Sequence, residues 1–169
     1  MAAPASDQAR PGTVSAVSLQ PLAAYVHLVN LRVPYQPDPA LCRRDGWAGV
    51  TGARGAYRWM REQLARRVPP PTPDALPVWV WLGAPPADWD GVTGTHLTLS
   101  LDPARLLVTH YPTWDDLLGR AALRGEQVSA AQWQACLDTG RPGAQQAVTW
   151  TLLPGDVTLA QVSVNGEWR

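Results

Sequence analysis

Ala53-Arg-Gly-Ala-Tyr-Arg-Trp-Met-Arg-Glu-Gln-Leu-Ala-Arg-Arg-Val68, a proline-rich stretch, and then Pro77-Val-Trp-Val-Trp-Leu82 decide the fold class of this chain. Ala53, Ala56, Tyr57, Met60, Leu64 and Val68 recur every three or four residues, which is one apolar stripe of a helix. Arg54, Arg58 and Arg61 sit away from that stripe, and Trp59 lies at its flank with Gln63. Proline cannot continue a helix, so residues 69–77 end it in a stiff connector. The valines and tryptophans that follow suit a strand with Trp79 and Trp81 on one side. Helix and strand without regular alternation point to an α+β domain rather than a doubly wound sheet.

Working outward, Val14–Leu19 reads as a strand ended by Gln20–Pro21. Leu22, Tyr25, Val26 and Val29 predict a helix over Pro21–Asn30, with proline in its first turn. Three prolines and three glycines between Val33 and Gly52 predict an irregular segment over the surface. His96–Leu101 alternates, Asp102–Arg105 reads as a turn, and Leu106–Tyr111 as the returning strand. In that hairpin Leu99 would face Val108, while Thr98 faces Thr109 and His96 faces Tyr111 on the other side. Thr113 with Asp116, and Ser129 with Gln132, mark two helix starts, and Gly140 and Pro142 close the second. Gln146–Leu153 and Val157–Val164 are the last strands, joined at Pro154–Gly155. The expected architecture is a single α+β domain over residues 13–169, with a small, mostly antiparallel sheet and about four helices. Residues 1–12 read as a disordered tail.

The 169 residues carry no net charge, which excludes a charged disordered chain and argues against a dedicated nucleic-acid binder. Residues 1–70 nevertheless hold an arginine surplus and residues 71–169 an acidic surplus, so the two halves are expected to attract each other. Lysine, isoleucine and phenylalanine are absent. All three use AT-rich codons, so the reading is of a high-GC bacterial genome in which many of the nine tryptophans fill core sites left without phenylalanine. No apolar run approaches the roughly 18 residues of a membrane span, and the first dozen residues do not read as a signal peptide. Cys42 and Cys136 are isolated, and His27, His96 and His110 lack ligand-spaced partners, so no metal site is expected. A reducing cytoplasm fits.

Several phrases resemble a bacterial family, domain-of-unknown-function family 3841. Ala16-Val-Ser-Leu-Gln20 resembles its opening strand, and Ala56-Tyr-Arg-Trp-Met60 with Gln63 its Tyr-x-Trp-Met-x-x-Gln helix. Pro77-Val-Trp-Val-Trp81 resembles its tryptophan strand, Leu106–Trp114 with Leu117 and Leu118 its next segment, and Ala144–Trp150 its Gln-Ala-x-x-Trp strand. The order is kept over residues 14 to 164. Thr109–His110 stands where the family has Ser-Asp, and Thr151 where a glutamate often follows the last tryptophan. The resemblance implies the fold and brings no assigned activity.

Two functions are open at this level. One is an enzyme or binding protein for a nucleotide-like ligand. The element order is similar to ADP-ribosyltransferase-type folds, in which Ser18, Gln20 and Gln146 would take the ligand-contacting places, by fold-level analogy. Gln146 shares a face with Val148 and Trp150 by period two, so its amide needs partners, expected from Ser18 or Gln20. The hairpin would add His96, Thr98, Thr109 and Tyr111 to a cleft bordered by Trp59 and Gln63. His96 would be the proton-transfer group; the same face also reads as an ordinary wet sheet surface. His110 near Asp115 and Asp116 reads as a base with an orienting carboxylate or as a neighbour of acids at a helix start. Gly49–Gly55 reads as an anion cradle or a plain loop. The other function is a non-catalytic protein- or nucleic-acid-interaction module using the Arg54, Arg58 and Arg61 face. Neither reading specifies a cofactor.

Overall fold

A computed structural model describes residues 12–39, 51–83, 92–165 and 167–168. The 1–12 tail, apart from Gly12, lies outside the described residues, as do Cys42 and the first part of the Gly49–Gly55 loop. Strand β1 (Val14–Gln20) leads into helix α1 (Leu22–Tyr25), which widens into a π-helical turn over Val26–Leu31. Helix α2 (Thr51–Arg67) precedes β2 (Val78–Leu82) and β3 (Gly94–Leu101). Then come β4 (Leu107–His110), helices α3 (Tyr111–Leu123) and α4 (Ala130–Gln134), and strands β5 (Gln145–Thr149), β6 (Val157–Val164) and β7 (Glu167–Trp168). The seven strands form one sheet in the order β4-β5-β2-β1-β3-β6-β7, and every neighbouring pair is antiparallel. This is a single mixed α+β domain. Among the described residues no helix is long and apolar enough to cross a membrane.

The sheet has a core on each face. Val78, Val80, Ala147, Leu97 and Leu99 pack with Ala24, Leu28 and Tyr35 on one side. Their alternate neighbours Trp79, Val148 and Leu107 pack on the other side with Met60 and Leu64 of α2, Trp114 and Leu117 of α3, and Trp133 of α4. Burial on both faces explains why β2 reads as a continuous apolar run rather than an alternating one. The stripe of α2 is buried through Ala53, Ala56, Met60 and Leu64, while Arg54 and Arg58 are exposed. The Trp150 indole N–H donates to the Val68 carbonyl at 2.7 Å, taking a carbonyl that the end of α2 leaves open. Ser129 and Gln132 form the expected capping box of α4.

Four expectations need correction. First, β3 and β4 do not form a hairpin: β3 pairs with β1 and β6, β4 pairs with β5, and β1, β2 and β5 lie between them. Asp102–Arg105 makes no hairpin turn: Pro103–Arg105 is a 3-10 turn, with the Asp102 carboxylate accepting from the Ala104 N–H. Arg105 then holds the Asp156 carboxylate at 2.8 Å and the Thr151 carbonyl at 2.6 Å, which leads the chain across rather than back. Second, Tyr35 is buried and exchanges both backbone hydrogen bonds with Leu152, so the proline-rich segment enters the core there. Third, the ion pairs given by the described residues all join residues within the stretch 105–156, so none of these six links the arginine-rich first part of the chain to the acidic remainder. Arginines of α2 bond backbone carbonyls instead: Arg61 donates to Pro73 and Ala75, and Arg67 to Pro103. Fourth, α3 begins at Tyr111, so the returning strand stops at His110.

Candidate functional site

The residues singled out in the sequence divide into three groups. Ser18 and Gln20 belong to the sheet itself. The β1–β2 ladder records one register pair, Val17 with Trp81. Beside it the Ser18 hydroxyl donates to the Trp79 carbonyl at 2.6 Å, and the Gln20 amide donates to Ser18 at 2.7 Å. By alternation these two side chains share the face of Ala16, opposite to that of Val17 and Trp81. Gln146, the register partner of Trp81, is on the Trp81 face. The expected contact between Gln146 and Ser18 or Gln20 is therefore not made: β2 lies between their strands, and they point to opposite sides.

His96 and Thr98 form the second group. They pair with Leu19 and Val17 of β1 and with Gln161 and Leu159 of β6, and both are half-buried. The expected cross-strand pairs with Thr109 and Tyr111 are not made, because β1, β2 and β5 lie between β3 and β4. Trp59 and Gln63 are bound up with helix packing: Trp59 stacks on Trp133, and Gln63 accepts from Arg66.

The third group does converge. Thr109, Gln146 and Trp81 are successive register partners across β4, β5 and β2. Partners in an antiparallel sheet project to the same side, with Cβ atoms about 4.5–5.5 Å apart. Two residues beyond Thr109, Tyr111 opens α3, and its ring meets Trp81 edge-to-face with centroids 4.2 Å apart. Both rings are half-buried. Gln146 is 3% exposed, and its side-chain nitrogen has no hydrogen-bond partner. The Thr109 hydroxyl donates to the Gln146 backbone carbonyl, and the side-chain nitrogen makes no bond to it. An uncompensated buried amide costs about 1–3 kcal/mol, so its place in the interior of a sheet calls for a reason.

The two strand tryptophans part company here. Trp79 is knit into a ring cluster with Tyr57 and Trp114, and Trp114 continues to Trp133. Trp81 meets the ring of Tyr111. Trp79, itself half-buried, thus packs against the helix-side core, and Trp81 is the aromatic wall beside Gln146. Period two places both rings on one face but cannot say which will find helices above it. Burial pushes the Tyr57 hydroxyl up to about 12 and the Cys136 thiol up to about 11, so both stay protonated at neutral pH.

His110 precedes α3 and is occupied by structure. Its Nε2 lies 3.1 Å from the Pro142 carbonyl, which only accepts, so Nε2 carries the proton. Nδ1 then accepts from the Thr113 hydroxyl at 2.7 Å. Asp116 pairs instead with Arg120 and Arg124. Gly143 lies against this imidazole: its φ is +142°, and an added Cβ would sit 2.7 Å from Nε2. The base-and-carboxylate reading of His110 is replaced by that of a hydrogen-bonded joint between β4, α3 and the residues before β5.

Comparison with models of protein families, with curated proteins and with solved structures found no match. The likeness to family 3841 accordingly rests on the motifs quoted above.

Proposed function

We propose that this domain binds a small planar, nucleotide-like ligand where Trp81, Tyr111, Thr109 and Gln146 meet. The observation that carries the reading is the Gln146 side-chain nitrogen, buried without a partner beside two half-buried aromatic rings. Rings of this kind give a flat ligand contact area and stacking, and a carboxamide orients it through hydrogen bonds. Membership of family 3841 is part of the same proposal. Its motif positions Tyr57, Trp79, Trp81, Trp114, Gln146 and Trp150 lie on one sheet face or on the helices packed there. The Arg54, Arg58 and Arg61 surface is the weaker reading, since Arg61 is tied to the connector.

A thermal-shift panel of nucleosides, nucleotides and NAD tests the reading, because a ligand raises stability by mass action. The expected result is stabilisation that disappears in Trp81→Leu and in Tyr111→Leu and survives His96→Ala. Stabilisation that survives Trp81→Leu and is lost in His96→Ala would overturn it, as would a silent panel.

A further inference from the structure

The surroundings of Gln146 also bear on ligand chemistry, an argument that rests on the site reading above. We infer that the recognised part of the ligand is an uncharged heterocycle carrying a hydrogen-bond donor and acceptor side by side on one edge. This is the nucleobase of a nucleoside rather than its phosphate.

Three observations lead there. A carboxamide holds one N–H donor group and one carbonyl acceptor in a plane. Its full complement is an edge with the same pair reversed, the geometry by which glutamine reads adenine with two parallel hydrogen bonds. The Thr109 hydroxyl donates to the backbone, and the Gln146 side-chain nitrogen has no protein partner. The second observation is charge. Val78–Leu82, Leu107–His110 and Gln145–Thr149 contain no acidic, lysine or arginine side chain, and both nitrogens of the nearby His110 are occupied. Arg141, the arginine nearest in sequence to β5, is paired with Asp138. Phosphate is ordinarily held by arginine or lysine forks, and none is presented here by the described residues.

The third observation concerns the start of α3, where an anion would otherwise find free amides. The Tyr111 N–H is bonded to the Ala144 carbonyl at 2.9 Å, and Pro112 has no N–H. Two of the first three donors of this helix are thereby removed. The Trp81 and Tyr111 rings, in contrast, accept any flat base, since every base has a π-face.

The test is calorimetric binding of uridine and adenosine, their monophosphates, and two donor-lacking analogues, N3-methyluridine and purine riboside. At least one nucleoside should bind, with its monophosphate within about twofold. The matching analogue should bind at least about fivefold more weakly, the lower end of what a bidentate edge discriminates. Gln146→Met should abolish that difference. A monophosphate binding more than tenfold tighter than its nucleoside overturns the uncharged class, and an analogue equal to its parent overturns the edge. Either result leaves the ring site standing if Trp81→Leu still abolishes binding. If no nucleoside binds while another flat compound does so in a Trp81-dependent way, the base class alone falls. If no planar compound binds, the site falls with it.

Discussion

Replacing Gln146 by methionine should make the protein more stable, although it removes the group proposed to orient the ligand. The carboxamide is 3% exposed and its nitrogen is unpartnered, a situation that costs about 1–3 kcal/mol. Methionine has similar length and no polar hydrogen, and its thioether makes favourable contacts with aromatic rings such as those of Trp81 and Tyr111. It is somewhat bulkier than the carboxamide, and the strain of fitting its sulfur and methyl group into a packed site offsets part of the gain. The net expectation is about 1–2 kcal/mol of stabilisation. For a domain of 150–250 residues each kcal/mol moves the midpoint by roughly 2–4 °C, so Tm should rise by about 2–8 °C. Scanning calorimetry reads the midpoint, and urea titration should show a higher transition concentration with an unchanged slope. A fall in Tm would refute the reasoning, since it would mean that the amide is satisfied in the folded state. A stability gain joined to a loss of binding is the signature of a residue kept for function.

Gly143→Ala should destabilise the protein by roughly 1–3 kcal/mol, through a strained φ and a contact with His110 Nε2, measured by urea denaturation. An unchanged midpoint would show that His110 yields without cost. Asp156→Ala should cost about 3 kcal/mol, because it leaves Arg105 unpaired and strips the Leu153 N–H of its acceptor. The double variant with Arg105→Ala should lose less than the sum of the singles, and simple additivity would contradict a direct interaction. Cys136 has its thiol raised in the fold from 9 to about 11, so below pH 9 its contribution is fully present. Between pH 9 and 11 the unfolded chain loses its proton first, and stability should fall by at most about 2.7 kcal/mol. Cys136→Ala should flatten this part of a pH–stability curve, and an unchanged slope would exclude the thiol as its source.

The sequence by itself determined what local periodicity controls. The stripe from Ala53 to Val68 and the Ser129–Gln132 capping box depend on neighbours three or four residues away, and both are found where the pattern puts them. The inward turn of Gln146 follows in the same way from the period of two along its strand. The tertiary structure alone decided which strands pair, because pairing is fixed by packing over long separations and by turn geometry. A short Asp-Pro-Ala-Arg link between two apolar stretches reads as a hairpin. Arg105, tied to Asp156 some fifty residues on, helps send β4 to the far edge of the sheet. That placement separates His96 and Thr98 from Thr109 and Tyr111. It brings Trp81 and Tyr111 together across β5 and leaves Ser18 and Gln20 behind the sheet from Gln146. The candidate site is thus made of residues whose types the sequence displays and whose company only long-range strand order sets.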